Sequence, residues 1–296
     1  MRKLFCLVFI VYAFAACKSA PPAVENPNVG PELQAVIPEL FSPNPDVTDD
    51  VMTIALSVKH PVPIKSWNIT IQPVRQGTGG GGQRQAANQE RPQGETRQRR
   101  AFFEQSGTGT PPARWQWNGK SSSRAGEMVQ SATDYQFVFS ATDVYDNSST
   151  FEGVIAVDVL VRRDGDSLRI IVPSIIFPAD SSDLSRVSEE EQRSNRRVLR
   201  LISNSLGKYP GYRITIEGHA NPLSAAGTAD WTRQENTLRP LSEQRARAVG
   251  EFLVANHGIE RSRFSYKGMG TTVPVADFRD EDEQWKNRRV EFILER

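Results

Sequence analysis

The sequence predicts two folded domains of different class, an all-β sandwich over residues 39–162 and an α+β domain over residues 163–296. Three observations carry this. Between Glu39 and Arg162, apolar residues alternate in short runs broken by Gly, Pro, Asn and Asp, the pattern of half-buried strands. From Ser167 onward such runs take turns with stretches of helical periodicity. The chain has 296 residues, which fits two domains better than one.

In the first domain Ile54, Leu56 and Val58 share one strand face, as do Trp67, Ile69 and Ile71. Tyr135, Phe137 and Phe139 repeat the pattern, followed by Ile155, Val157, Val159 and Val161. Residues 76–98 interrupt it with Gly79 to Gly82, many Gln, and Arg84, Arg91 and Arg97. Almost nothing there can offset chain entropy by burial, so a disordered extension is expected. It reads either as a solvated loop or as a mildly basic contact for phosphates.

Arg163-Asp164-Gly165-Asp166 reads as the domain boundary. Beyond it Leu168, Ile170 and Val172 mark a strand. Ser188-Glu189-Glu190-Glu191 is a capping box that opens a helix carrying Val198, Leu199, Ile202 and Leu206. Gly207 is its stop signal. Tyr212, Ile214 and Ile216 form the next strand. Ser242 is the expected N-cap of a second helix with Ala246, Val249, Phe252 and Leu253, ending near His257-Gly258. Phe264 and Tyr266, then Val290, Phe292 and Leu294, give two closing strands. The order is βαβα plus two strands, predicting a mixed sheet with both helices on one face.

Residues 1–16 are expected to be a signal peptide: Arg2 and Lys3 precede an apolar run too short to span a bilayer comfortably. Phe14-Ala15-Ala16-Cys17 resembles a lipobox, with Phe14 where Leu is usual. The resemblance implies acylation of Cys17, palmitate included, and a membrane partner through the lipid. The alternative is ordinary cleavage after Ala16 and a free thiol. Residues 17–38 are rich in Pro, Ala, Asn and Glu and read as a tether. Cys6 would leave with the signal peptide, so no disulfide within the mature chain is expected. Basic and acidic residues number 36 and 35, which gives no polyanion signal and no expectation of nucleic acid.

Two resemblances follow from longer motifs. Phe41-Ser42-Pro43-Asn44-Pro45-Asp46 with Asp49-Asp50, Trp117-Asn118-Gly119-Lys120, Tyr135-Gln136-Phe137 and Ala141-Thr142-Asp143 are similar to stations of FlgD-like immunoglobulin-type domains. This implies an immunoglobulin-like sandwich. Asp46, Asp49 and Asp50 are read as turn residues, not as an ion site. In the second domain, residues 175–181 with Leu184, Ile216-Glu217-Gly218-His219-Ala220-Asn221, Leu241-Ser242-Glu243-Gln244-Arg245-Ala246, Gly258-Ile259 to Arg263, Lys267-Gly268-Met269-Gly270 with Pro274, and Asn287-Arg288-Arg289-Val290-Glu291 resemble the OmpA-like, or Pal-like, peptidoglycan-binding domain.

That resemblance implies a partner, the peptidoglycan stem peptide with its diaminopimelate arm, which presents an ammonium and a carboxylate on one carbon. The family places an Asp on the ammonium and an Arg on the carboxylate. Here the Arg is Arg245, expected in the first turn of its helix, where free N–H groups would add to carboxylate binding. The Asp is replaced by Asn221, which keeps an acceptor oxygen without the charge. Asn287 and Arg288 either border the pocket or only pin the last strand. Residues 222–240 read as a lengthened loop. Within it Asp230 or Glu235 would stand in for the missing acid, or Trp231 would pack on sugar; the alternative is a plain surface loop. His219 is expected to be structural or at the pocket edge, and it forms no metal-ligand spacing with His60 or His257. No catalytic constellation and no cofactor motif is present in the sequence, so an enzyme is not expected.

The expected function is a lipoprotein of the outer membrane, facing the periplasm, that links membrane to wall. The alternative is an envelope interaction protein whose OmpA-like domain has lost wall affinity and whose sandwich binds a protein partner. Cys17→Ser should abolish lipid labelling and move the protein from the membrane to the soluble fraction, as read by fractionation of expressing cells. A variant that stays with the membrane would exclude the acyl anchor.

Overall fold

The structure, a computed structural model, describes residues 25–44, 50–74 and 100–296. Cys17, the signal segment, Asp46, Asp49 and the Arg-bearing insertion lie outside the described residues.

Among the described residues, seven strands build the first region: β1 (Glu32–Val36), β2 (Met52–Lys59), β3 (Ile64–Pro73), β4 (Phe103–Thr108), β5 (Arg114–Trp117), β6 (Asp134–Asp143) and β7 (Ser148–Ala156). They form one sheet ordered β1-β2-β5 and another ordered β4-β3-β6-β7, with every pairing antiparallel. The alternation read from the sequence buries Ile54, Ile69, Ile71, Phe137 and Phe139 in a single core between the sheets. Trp117 packs there between Phe41 and Phe102, at ring separations of 5.9 and 6.2 Å. At one end the fully buried Asp143 accepts hydrogen bonds from His60, from Asn147 and from the backbone of Tyr145 and Asn147. Burial alone would raise its pKa, but these donors hold it below the usual carboxylate range.

The tether reading of residues 17–38 needs correction. Glu32–Val36 is a strand on the edge of β2, and Leu33 and Ala35 pack against the core. A short run between Pro31 and Pro38 does not stand out from linker composition.

The second region contains β8 (Arg162–Asp164), β9 (Ser167–Val172), α1 (Glu189–Gly207), β10 (Arg213–His219), α2 (Ala229–His257), β11 (Phe264–Gly270) and β12 (Val290–Glu295). The sheet order is β11-β10-β12-β9-β8. Only β10 and β11 run parallel, so the sheet is mixed as expected. Ile170, Ile214, Ile216 and Phe292 meet Leu199 and Ile202 of α1 and Val249 and Leu253 of α2 in one core. Both helices therefore cover the same face. Ser188 and Glu191 form the predicted reciprocal cap, and Gly258 closes α2 in the left-handed conformation at φ 67°.

Three details differ from the sequence reading. Asp164-Gly165-Asp166, read as part of the domain boundary, is the turn of the β8–β9 hairpin, so Arg162 before it already pairs in the second sheet. α2 starts at Ala229, capped by the Thr228 side chain, and carries Pro240 inside it. Ser242, expected as the N-cap, sits in the helix interior. Its hydroxyl donates to the Arg239 carbonyl and accepts from the Gly270 N–H. Pro240, the last residue of the segment read as a loop, lacks an amide donor, yet the helix runs through it.

The two regions are in contact. Arg197 on α1 forks onto Asp134 at 2.9 and 2.8 Å. Lys286 pairs with Glu127 and Glu283, and Arg124 reaches Glu283 at 2.7 Å. Ala132 and Val159 pack into the second core.

Gly218 lets α2 lie against β10. A Cβ added there would stand 1.9 Å from the Ser242 carbonyl oxygen, a backbone atom that cannot rotate away. Gly218→Ala should therefore destabilise the protein by about 1–3 kcal/mol, measured by urea unfolding. A change near zero would mean that α2 shifts freely on the sheet.

Candidate ligand-binding site

Asn221 lies just past the end of β10, where the Ala220 N–H donates to the Gly270 carbonyl at 2.8 Å. It is buried, and so is Asn287. Asn287 Oδ1 accepts the backbone N–H of Val275 at 2.7 Å and of Ala276 at 3.0 Å. That fixes which end of its amide is oxygen. Its Nδ2 then donates to Asn221 Oδ1 at 2.8 Å and to the Ala276 carbonyl at 2.9 Å. Asn221 Nδ2 in turn donates to Gln284 Oε1 at 2.9 Å. Three neutral amides thus form a directed chain beneath the segment from Val273 to Ala276. Asn287 pins that segment; the roles expected of it are to border the pocket or to pin the last strand.

Arg245 projects from the middle of α2 toward the segment between β9 and α1. Its Nε donates to the Ser181 carbonyl at 3.0 Å and its Nη2 to the Pro178 carbonyl at 2.9 Å. The guanidinium carbon stands 5.1 Å over the Phe177 ring. Nη1 has no partner among the described residues and is not sealed from solvent. Burial pushes its pKa down; Asp180 opposes this and the like charge of Arg288 adds to it. A guanidinium stays charged throughout the accessible range. Arg288 is exposed and directly follows Asn287. Asn221 and Asn287 are thus bonded to one another, and Arg288, next in the chain, is near enough to Arg245 for its charge to be felt there. The helix-start donors expected beside Arg245 are absent from that position, because α2 begins many residues earlier.

The segment read as a long loop is partly helical. Asp230 is exposed in the first turn of α2 and pairs with Arg233 at 3.0 Å. Trp231 is half-buried in the same turn. Glu235 is buried and turned inward, accepting the Thr271 N–H and hydroxyl at 2.8 and 2.7 Å and pairing with Arg239 at 2.8 Å. Neither acid reaches the amide chain, so neither replaces the missing Asp. Gln284 is the site residue that sequence reasoning missed. It lies in a single 3-10 turn, Gln284–Asn287, upstream of the closing motif, with no periodicity to mark it.

On the sheet face away from the helices, one ligand atom each from Glu217, His219 and Glu291 falls within 4.8 Å. The set does not suit a metal ion. Glu291 already accepts from Arg169 and Arg289 at 2.6 Å each, and Glu217 faces Lys267 at 3.2 Å. Two carboxylates are thus matched by three cations, and a divalent ion would be repelled. Neither ring nitrogen of His219 has a hydrogen-bond partner. Burial first, and then the Arg289 charge, lower its pKa from 6.5 to about 4. In the unfolded chain this ring gains a proton below about pH 6.5, while the folded protein resists until about pH 4. Stability should therefore fall as pH drops through that window, by at most about 3 kcal/mol from this group. His219→Leu should flatten that slope in urea titrations at pH 7 and pH 4.5; an unchanged slope would assign it to other groups.

Residues 176–288 match the OmpA family. Outer membrane porin F of Pseudomonas aeruginosa is 32% identical over 113 residues, 38% of this chain and 29% of the porin. Peptidoglycan-binding protein ArfA of Mycobacterium tuberculosis is 32% identical over 97 residues, 33% of this chain and 27% of that protein. The peptidoglycan-associated lipoprotein of Brucella melitensis is 35% identical over 121 residues, 40% of this chain and 61% of the relative. The aligned segment thus spans less than two thirds of each relative. Among solved structures, the cell wall anchor of the T6SS from Pseudomonas aeruginosa aligns over 46% of this chain and 86% of its own, at 25% identity and a TM-score of 0.35. The chain carries an OmpA-like domain at its C-terminus.

Proposed function

We propose that this protein is an envelope lipoprotein that holds peptidoglycan without covalent chemistry, through its OmpA-like domain. The observation that carries the reading is Arg245. Backbone carbonyls grip one side of its guanidinium and leave Nη1 open to solvent, an arrangement suited to a carboxylate on a wall peptide. The match over residues 176–288 supports it, as do relatives named for binding or associating with peptidoglycan. In this reading the Cys17 acyl chains anchor the protein in the outer membrane, facing the periplasm, and that anchor raises its concentration at the wall. The two antiparallel sheets before the domain are read as immunoglobulin-like. The reading assigns no catalysis and no cofactor.

A second reading is favoured by Asn221, whose acceptor oxygen is turned toward Asn287. In it the OmpA-like domain has no wall affinity and the β-rich region recruits an envelope protein.

Sedimentation with purified wall sacculi separates the two. Wild type should co-sediment. Arg245→Ala should weaken binding by about 1.5–3 kcal/mol, roughly ten- to hundredfold, and Arg245→Lys should recover part of it. Urea unfolding of each variant separates loss of the ligand contact from loss of the Pro178 and Ser181 contacts. Wild type that stays in the supernatant favours the second reading.

A further inference from the structure

The direction of the amide chain determines what a bound peptide must present, on the reading that this site holds a wall peptide. Asn287 Oδ1 is committed to two backbone N–H groups. The Asn287 to Asn221 link and the Asn221 to Gln284 link follow in one sense, each from Nδ2 to the next oxygen. The chain ends on Gln284 Nε2, a donor with no partner among the described residues. An ammonium is a donor only, and it would have to share Asn221 Oδ1 or Gln284 Oε1 with the amide donor already there, whereas an acceptor meets the unused donor at the end of the chain. Arg245 and Arg288 add positive charge to the same neighbourhood. The acid close to Arg245 is Asp180, exposed in a left-handed backbone turn at φ 50° between the two carbonyls that grip the guanidinium. Leu223 and Val275, next to the amide chain in sequence, are exposed aliphatic residues.

We propose that this site reads the carboxylate or acyl carbonyl of a stem peptide and does not require its free amine. It would therefore accept peptides whose side-chain amine is acylated, the chemical state of a cross-linked strand. Gln284 sets this preference by offering its Nε2 donor, and Asn221 by fixing the sense in which the Gln284 amide is held.

The test titrates the purified full-length protein in detergent with two ligands. One is a muramyl tripeptide ending in diaminopimelate with its side-chain amine free; the other is the same peptide with that amine acetylated. Acetylation should change Kd by less than about threefold or tighten binding. Asn221→Asp should shift the ratio of the two Kd values about tenfold toward the free amine, since a carboxylate bonds an ammonium more strongly than a neutral amide does. The ratio is read on one protein sample, so partial misfolding does not affect it. Acetylation that weakens wild type tenfold or more overturns the proposal. If that loss disappears in Asp180→Asn, Asp180 is the ammonium partner. An unchanged ratio in Asn221→Asp also overturns it, because the amide chain then does not govern selection. If neither peptide binds wild type, the wall-binding reading itself fails and takes this one with it.

Discussion

The closeness of α2 to strands β10 and β11 is the constraint on which the second region depends. It exists because glycines stand where side chains would collide. At Gly218 the obstacle is the Ser242 carbonyl, at Gly268 the Arg239 carbonyl, and at Gly270 the Glu235 carboxylate. Gly270 also sits at φ 53°, which glycine adopts without the Cβ penalty. With the helix seated so near, the Ser242 hydroxyl can take the Gly270 N–H and Glu235 can take both donors of Thr271. These bonds hold the turn after β11, and that turn leads into the segment pinned by Asn287. The glycines are thus the reason the amides of the site keep their positions.

The site built on this frame combines two chemistries. One part is charged and only half enclosed: Arg245, steadied by backbone carbonyls and the Phe177 ring. The other is neutral and enclosed: the chain of amides running from Asn287 through Asn221 to Gln284. A neutral buried network avoids the desolvation penalty of an uncompensated acid. An Asp at position 221 would have to be matched by donors, and Asn287 already supplies one.

Much of the fold was legible because strand and helix periodicities are set by burial on one face. The alternating Ile54, Ile69, Phe137 and Ile155, and the helical Val198, Leu199, Ile202 and Leu206, all lie in the cores. The capping box at Ser188 was legible for a local reason, since its bonds close within four residues. The start of α2 was not. Thr228 and Ser242 are both residue types that cap helices, and in the structure Ser242 instead takes the Gly270 N–H of β11. Arg245, Asn221 and Asn287 could be named from motifs, but the direction of their amides depends on backbone N–H groups at Val275 and Ala276. Gln284 and the edge strand Glu32–Val36 owe their roles to tertiary neighbours, for which no short-range pattern exists.

The contacts between the two regions bear on how the molecule would carry load. The covalent path runs through residues 157–161 between β7 and β8, but it is not alone. Arg197 and Asp134 bridge the regions at α1, and Lys286, Glu127, Arg124 and Glu283 bridge them again beside the turn that holds Gln284 and Asn287. A pull between the β-rich region and the ligand site would load these bridges in parallel with the chain, as shear across several charged contacts. Tension would then reach the amide chain through its own supporting turn, by a route that does not first peel β8 from the sheet edge.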